Sequence, residues 1–122
     1  MARNVLVVDD STSMRALVCS TLKGLTFNTF EAANGHDALE KIKSMASVDL
    51  IITDLNMPVM DGITFVQNVR KVAALRYVPV LLLTTETRTE QKDKAKAAGA
   101  TGWLTKPFDP KQLTAVVQRI LP

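Results

Sequence analysis

The sequence predicts an α/β fold in which helices cover both faces of a five-stranded parallel sheet. Short apolar runs bounded by turn residues, such as residues 5–8 and 80–83, are typical of strands that are buried on both faces. Between these runs, apolar residues recur at the three- and four-residue spacing of an amphipathic helix. This alternation of strands and helices favours parallel strands that are joined by helical crossovers.

Each predicted strand is an apolar or β-branched segment that stops at a turn. The second strand is more polar than the others, which places it nearer an edge of the sheet. Pro79 fits only at the start of the fourth strand, because proline has no N–H group to donate to a neighbouring strand. The predicted strands are residues 5–8, 27–32, 48–53, 78–84 and 101–105.

Five helices follow these strands in turn. The first begins after a cap in Ser11 to Ser13 and ends at Gly24, and the last begins with Asp109 as N-cap before Pro110. The fourth helix, residues 90–98, differs from the others because its only apolar side chains are alanines. The apolar positions of the other helices are Met14, Leu17, Val18 and Leu22; Ala38, Leu39, Ile42, Met45 and Ala46; Ile63, Val66, Val69 and Ala73; and Leu113, Val116, Val117, Ile120 and Leu121.

Length and composition indicate one ordinary globular domain. The chain has 122 residues, of which 47% are hydrophobic and 22% are charged. No apolar run approaches the roughly 18 residues of a membrane span, and the first strand is too short for the core of a signal peptide. The single cysteine, Cys19, lies off the apolar stripe and excludes an internal disulfide, which favours a cytoplasmic location. A net charge of +3 without a basic tail or patch does not predict nucleic-acid binding.

Polar side chains stand at the carboxyl ends of four predicted strands. Asp9 and Asp10 follow the first strand, Asp54 the third, Thr84 ends the fourth and Lys106 follows the fifth. We expect them to share one pocket, because the carboxyl ends of parallel strands meet at one edge of a sheet. Three carboxylates there would repel one another and raise at least one pKa, and their oxygens suit Mg²⁺ or Mn²⁺. Together with an ammonium and a hydroxyl, they supply the groups that form an aspartyl phosphate.

Four segments of the sequence resemble the signature segments of response-regulator receiver domains. They are Val-Asp-Asp-Ser at 8–11, Asp-Leu-Asn-Met-Pro-Val-Met-Asp-Gly at 54–62, Leu-Thr-Thr-Glu at 83–86 and Gly-Ala-Thr-Gly-Trp-Leu-Thr-Lys-Pro-Phe at 99–108. The resemblance spans the chain and is nearest to single-domain chemotaxis regulators of the CheY type. The resemblance, and not the residue pattern, implies a doubly wound, flavodoxin-like (βα)5 sheet with the strand order 2-1-3-4-5. It also implies one receiver domain over residues 1–122, without an effector domain.

The resemblance assigns roles at the phosphorylation site. Asp54 would be the phosphoacceptor. Asp10 and Asp54 would bind Mg²⁺ through their side chains, Asn56 through its backbone carbonyl and Asp9 mainly through water. Asn56 and Glu86 would lie beside the phosphoryl group and set its lifetime, and regulators that carry Asn and Glu at these positions dephosphorylate rapidly.

The resemblance also assigns the residues of a conformational switch. Thr84 would be the switch hydroxyl, and Lys106, whose bond to the next proline is cis in similar proteins, would bind the phosphate. The residues themselves indicate that the fourth helix is best suited to move, because its charged side chains and alanines give it little core. The output face is therefore predicted around the fourth helix, fifth strand and fifth helix, and includes Lys92, Trp103 and Lys111. Trp103 is either an aromatic rotamer switch or a core-packing residue. Flagellar-type regulators often carry aliphatic side chains near Lys92, which argues against a flagellar-motor partner.

The expected function is that of a monomeric response regulator. A sensor histidine kinase would phosphorylate Asp54, an output protein would bind the output face, and a phosphatase is a further candidate partner, with chemotaxis as the expected context. No enzymatic activity is expected beyond the chain's own phosphorylation and dephosphorylation. One alternative is a shuttle that passes phosphate between histidine domains. A second is a small aspartyl-phosphate hydrolase, although such enzymes usually have Asp where this chain has Asn56. A phosphate-independent binding module is disfavoured because the site residues are complete.

Overall fold

The computed structural model describes residues 3–121 and contains one parallel sheet with the strand order β2-β1-β3-β4-β5. The predicted fold class and strand order are therefore confirmed, and the polar second strand lies at an edge of the sheet. The elements are β1 Asn4–Val8, α1 Thr12–Lys23, β2 Asn28–Ala32, α2 Gly35–Ser44, β3 Leu50–Asp54, α3 Gly62–Lys71, a short 3₁₀ helix Ala73–Leu75, β4 Val80–Thr84, α4 Thr89–Ala98, β5 Gly102–Thr105 and α5 Pro110–Ile120.

Two hydrophobic cores lie on opposite faces of the sheet. Side chains alternate along a strand, so Val5 and Val7 enter the core under α1 and α5, whereas Leu6 and Val8 enter the core under α2 and α3. The largest side chain without solvent contact is Phe65 of α3. Because both faces are covered, the central strands are mostly apolar, as is typical of parallel sheets, and the buried polar residues Thr53, Asp54 and Thr84 lie at the carboxyl ends of β3 and β4.

The helices differ in how firmly they are held. Ser11, Asn34, Asp61 and Asp109 cap α1, α2, α3 and α5, and each side chain accepts a backbone N–H three residues on. Such caps stabilise a helix by about 1 kcal/mol each. The start of α4 has no side-chain cap, and Ala95 is its one buried residue. Within residues 3–121, no helix combines the length and apolar character that a membrane span requires.

The buried face of α1 differs from the prediction. Cys19 is only 4% exposed and belongs to the core, whereas Leu17 is 39% exposed. The predicted position of Cys19 off the apolar stripe was therefore wrong. The stripe is displaced because α1 packs against α5 as well as against the sheet.

Several predicted boundaries also move by about two residues. β4 begins at Val80 rather than Val78, because Val78 donates its N–H to Leu75 of the 3₁₀ helix and Pro79 has none to donate. β3 begins at Leu50 and includes Asp54, and α3 ends at Lys71, before Ala73. These shifts move the carboxyl end of β3 by one residue, to Asp54, and leave those of the other strands where the sequence placed them.

Candidate functional site

Asp54 is the last residue of β3 and is 8% exposed. Its Oδ1 accepts the backbone N–H groups of Leu55 (2.7 Å) and Asn56 (3.4 Å). The start of α3 presses against this turn, since Gly62 donates its N–H to the Leu55 carbonyl at 2.7 Å. A Cβ atom on Gly62 would collide with the backbone of Asp54 and Leu55. Glycine at this position therefore lets α3 pack closely enough to hold the carboxylate in place.

Lys106 lies between two carboxylates of the pocket. Its Nζ is 3.1 Å from Oδ2 of Asp9 and 3.5 Å from Oδ2 of Asp54. The register explains this proximity, because Val8 of β1 is paired with Thr53 of β3, so that the next residues, Asp9 and Asp54, are neighbours. The peptide bond between Lys106 and Pro107 is cis, as the resemblance implied.

Three carboxylates form the acidic part of the site. Oxygens of Asp9, Asp10 and Asp54 lie within 4.8 Å of one another. Asp9 is buried, with 3% exposure, while Asp10 is open to solvent. Three carboxylates face one ammonium, so the pocket has an excess of negative charge that a divalent cation can neutralise. Hard carboxylate oxygens with solvent access fit Mg²⁺.

The pKa of Asp54 lies above its ordinary value. Burial is the main cause, the negative charge of Asp9 adds to it, and the ammonium of Lys106 opposes both. The sequence predicted a raised pKa in this cluster, and the direction is confirmed. The sequence predicts a raised pKa from repulsion between the carboxylates, whereas in the folded protein the loss of solvation of Asp54 contributes more to the shift.

Thr84 connects the pocket to β5. It is fully buried at the end of β4, and its Oγ1 accepts the N–H of Glu86 at 3.1 Å. Its carbonyl accepts the N–H of Lys106 at 2.8 Å. Leu82 pairs with Trp103, and paired residues of parallel strands share a face, so Thr84 and Trp103 lie on the same face of the sheet. They are offset by two residues, or about 7 Å along the strand.

Trp103 is half-buried in β5 beneath α4. The ammonium of Lys92 lies 5.7 Å from the centre of the indole ring, within the range of a cation–π interaction. Within residues 3–121, the buried indole Nε1 has no hydrogen-bond partner. The ring lines a cleft of about 190 Å³ together with Lys92 and Lys96. Trp103 is thus neither a free surface residue nor a completely satisfied core residue.

The remaining predicted residues lie at the margin of the pocket or outside it. Glu86 forms an ion pair with Arg88 at 2.9 Å, and hydrogen bonds from Arg88 lower the pKa of Glu86 to about 2. The side chain of Asn56 is exposed beside Asp54, and Lys111 is exposed on α5. His36 is exposed at the start of α2, as expected of a solvated residue.

Sequence reasoning missed one residue of the site, Arg15. Its Nη1 donates to the backbone carbonyl of Asp9 at 2.6 Å, and its Nε is 3.2 Å from Oε1 of Glu31 on β2. The available signal was a basic residue in the first turns of the helix that follows Asp9 and Asp10. Sequence alone did not distinguish it from the other basic residues on exposed helix faces.

Comparisons with known proteins agree with the fold. The family model for the response regulator receiver domain matches residues 5–118 of this chain. The chemotaxis protein CheY-3 of Vibrio cholerae is 39% identical over 117 residues, which are 95% of this chain and 89% of that protein. The solved structure of CheY4 from Vibrio cholerae superposes with a TM-score of 0.95 and 46% identity, over 99% of this chain and 100% of that chain.

A third relative was solved with a metal ion. The receiver domain of a sensor histidine kinase from Pseudomonas aeruginosa has a magnesium ion coordinated in its active site cleft. It is 25% identical to this chain, with a TM-score of 0.87 and 98% coverage of both chains. Receiver domains of this kind are signalling proteins rather than classical enzymes. This chain belongs to the response regulator receiver domain family and is similar to the CheY-type chemotaxis regulators within it.

Proposed function

We propose that this protein is a two-component response regulator in which Asp54 accepts a phosphoryl group from a sensor histidine kinase in a Mg²⁺-dependent reaction. The observation that carries the proposal is the pocket itself. A buried strand-end carboxylate is within 3.5 Å of a lysine and within 4.8 Å of two further carboxylates. A merely structural aspartate would not need three charged neighbours at the open edge of the sheet.

Asp54 is oriented for nucleophilic attack. Backbone N–H groups hold its Oδ1, whereas Oδ2 faces Lys106. A carboxylate oxygen attacks the phosphorus of a phosphohistidine and an O–P bond forms. The P–N bond breaks, and the ring nitrogen leaves with the electron pair of that bond and takes a proton from solvent to give neutral imidazole. Lys106 is placed to neutralise the phosphoryl oxygens.

The carboxylates and the backbone carbonyl of Asn56 are the groups that would hold Mg²⁺. When bound, the metal supplies positive charge that stabilises the transferring phosphoryl group. Asp10 is exposed, so a hydrated cation can reach the cluster from solvent. A cation also favours the ionised form of Asp54, which burial disfavours. The magnesium ion in the Pseudomonas aeruginosa relative supports this assignment.

The phosphoryl group then acts on Thr84 and Lys106. It brings roughly two negative charges, and hydrogen bonds to such a charged group are worth about 1.5–3 kcal/mol each. Two bonds supply about 3–6 kcal/mol, which is close to the roughly 5.5 kcal/mol that reverses a 1:99 equilibrium. Because the Thr84 hydroxyl accepts the N–H of Glu86, its movement toward phosphate displaces the loop that leads into α4.

The output face is suited to respond. The uncapped start of α4 and its single buried residue make rearrangement inexpensive in free energy. Trp103 shares a face with Thr84 and can follow its movement. Apart from Lys106, which lies in the pocket, residues 86–122 contain six Lys or Arg and four Asp or Glu, a net charge of +2. This excess favours an output partner with an acidic surface.

Glu86 and Asn56 are the residues we propose to set the lifetime of the phosphoryl group. Asn56 is exposed two residues after Asp54, and Glu86, two residues after Thr84, donates its N–H to the Thr84 hydroxyl. There they can orient or admit the water that hydrolyses the acyl phosphate. Replacement of either by Ala should change the half-life several-fold, and unchanged decay in both variants would disprove this role.

The test is incubation with acetyl phosphate and Mg²⁺. Intact-mass spectrometry should show one added phosphoryl group on the wild type and none on Asp54→Asn, with a matching change in Trp103 fluorescence. Asp61→Asn is the matched control, because Asp61 caps α3 nearby and Asn retains a capping side chain. Absence of phosphorylation in the wild type would refute the proposal. Return of the phosphoryl group to a histidine domain would instead indicate a shuttle, and turnover of p-nitrophenyl phosphate a hydrolase.

A further inference from the structure

We propose that Arg15 is a positioning residue for the cation site: it holds the peptide between Asp9 and Asp10 so that the Asp10 carboxylate reaches the other two. This inference rests on the proposed function only in that the acidic cluster binds Mg²⁺. Arg15 itself touches none of the carboxylates of the cluster in the contacts of residues 3–121; it bonds to the backbone.

The guanidinium of Arg15 joins three parts of the fold. It donates to the Asp9 carbonyl (2.6 Å), to Glu31 on β2 (3.2 Å) and to the Thr12 hydroxyl at the start of α1 (3.5 Å). The side chain of Arg15 is 16% exposed, compared with 52% for Glu31. Three different nitrogens of the planar guanidinium make these bonds, whereas a lysine has only one nitrogen from which to reach the same three partners.

Every polar atom of Asp9 has a partner. Its N–H donates to Ala32 at 3.2 Å, its Oδ1 accepts from the N–H of Ser11 at 2.9 Å, and its Oδ2 faces Lys106 at 3.1 Å. Arg15 binds the one remaining polar atom, the backbone carbonyl. Because the peptide unit is planar, fixing that oxygen also fixes the direction in which the chain enters Asp10.

Asp10 depends on this backbone restraint. It is exposed, and among the bonds that the structure shows for residues 3–121 none holds its side chain. Its oxygen nevertheless lies within 4.8 Å of those of Asp9 and Asp54. With no side-chain partner to direct it, the Asp10 carboxylate depends on the backbone, which Arg15 holds, for its reach toward the other two.

Charge and geometry predict opposite effects for the loss of Arg15. Its positive charge lies near a cation site, so electrostatics alone would make a neutral variant bind Mg²⁺ more tightly. Loss of positioning would instead weaken binding, as replacement of residues that orient metal ligands typically does by tenfold or more. We therefore expect Arg15→Met to raise the Mg²⁺ dissociation constant about tenfold. Arg15→Lys keeps the charge but has a single donor nitrogen, so it should raise the dissociation constant by less than Arg15→Met does.

The experiment is a titration with MgCl₂, followed by NMR through the amide signals of Leu55 and Asn56, whose N–H groups bond to Asp54. Arg76→Met is the matched control, because Arg76 is exposed in the turn before β4, at the opposite edge of the sheet. It removes the same charge and should leave the dissociation constant unchanged. At saturating Mg²⁺, Arg15→Met should be phosphorylated by acetyl phosphate at nearly the wild-type rate.

The outcomes separate this proposal from the proposed function. Equal or tighter Mg²⁺ binding by Arg15→Met, with normal binding by the wild type, would overturn the positioning role alone. A wild type whose amide signals do not respond to Mg²⁺ would overturn both. If Arg15→Met does not fold, Arg15→Lys decides the question, since a dissociation constant equal to that of Arg76→Met would contradict the proposal.

Discussion

Gly62 offers the sharpest test of how α3 supports the Asp54 turn. The three atoms nearest to a Cβ atom there are all backbone, and they include the Asp54 carbonyl carbon at 3.2 Å and Leu55 Cα at 2.8 Å. Gly35 is a matched control, because it is also a buried first residue of a helix. Its added Cβ would meet the flexible Met60 side chain, at 2.9 Å from Sδ.

The two Gly→Ala changes should therefore differ in free energy. Overpacking costs about 1–3 kcal/mol, and the upper end applies to Gly62 because backbone cannot rotate away. Replacement of glycine also lowers the conformational entropy of the unfolded chain, which stabilises the folded state by about 0.4–1 kcal/mol. Gly62→Ala should lower the free energy of unfolding by about 2 kcal/mol. Gly35→Ala should remain within about 1 kcal/mol of the wild type, because Met60 can adopt another rotamer.

Urea unfolding measures the difference. With a slope of about 2 kcal/mol per molar urea, Gly62→Ala should unfold at about 1 M less urea than the wild type. Its phosphorylation by acetyl phosphate should also slow by about tenfold, because the Asp54–Leu55 backbone must move to admit the methyl group. Equal midpoints for Gly62→Ala and Gly35→Ala would refute the claim that close backbone packing holds the turn.

Three further perturbations test other contacts. Burial raises the pKa of Asp54, so the folded state binds the proton more tightly than the unfolded state, and stability falls as pH rises above the ordinary value of 3.8. Asp54→Asn should therefore unfold at a higher urea concentration than the metal-free wild type at pH 7, and this difference in the urea midpoint should shrink toward pH 3.8. A variant that is less stable than the wild type at pH 7 would contradict this. Arg70→Met should lose about 2–3 kcal/mol of unfolding free energy, because Arg70 binds the Gly99 carbonyl at 2.7 and 3.2 Å and thereby anchors the end of α4; an unchanged urea midpoint would argue against this anchor. Lys92→Ala should change the emission of Trp103 by removing the cation above its ring, and an identical spectrum would show that this contact is absent in solution.

The core of the site followed from the sequence. An apolar strand ends at or just before each of Asp9, Asp54 and Thr84. A parallel sheet brings such strand ends to the same edge, independently of the conformation of the loops. Which face of a helix is buried was harder to predict. Leu17 was expected to be buried and Cys19 was not, but Cys19 is buried and Leu17 is exposed. The reason is that α5, some ninety residues later in the chain, determines which face of α1 is covered.

Sequence alone determined the order of the elements, the gathering of charged groups at one edge and the chemistry that those groups can perform. These features depend on residue type and on neighbours within a turn or a strand. Only the tertiary structure decided that Lys106, 97 residues from Asp9, lies 3.1 Å from its carboxylate. It likewise decided that burial dominates the pKa of Asp54 and that Arg15 binds the Asp9 backbone. Such contacts form between segments far apart in sequence, and their distances result from the packing of the whole domain.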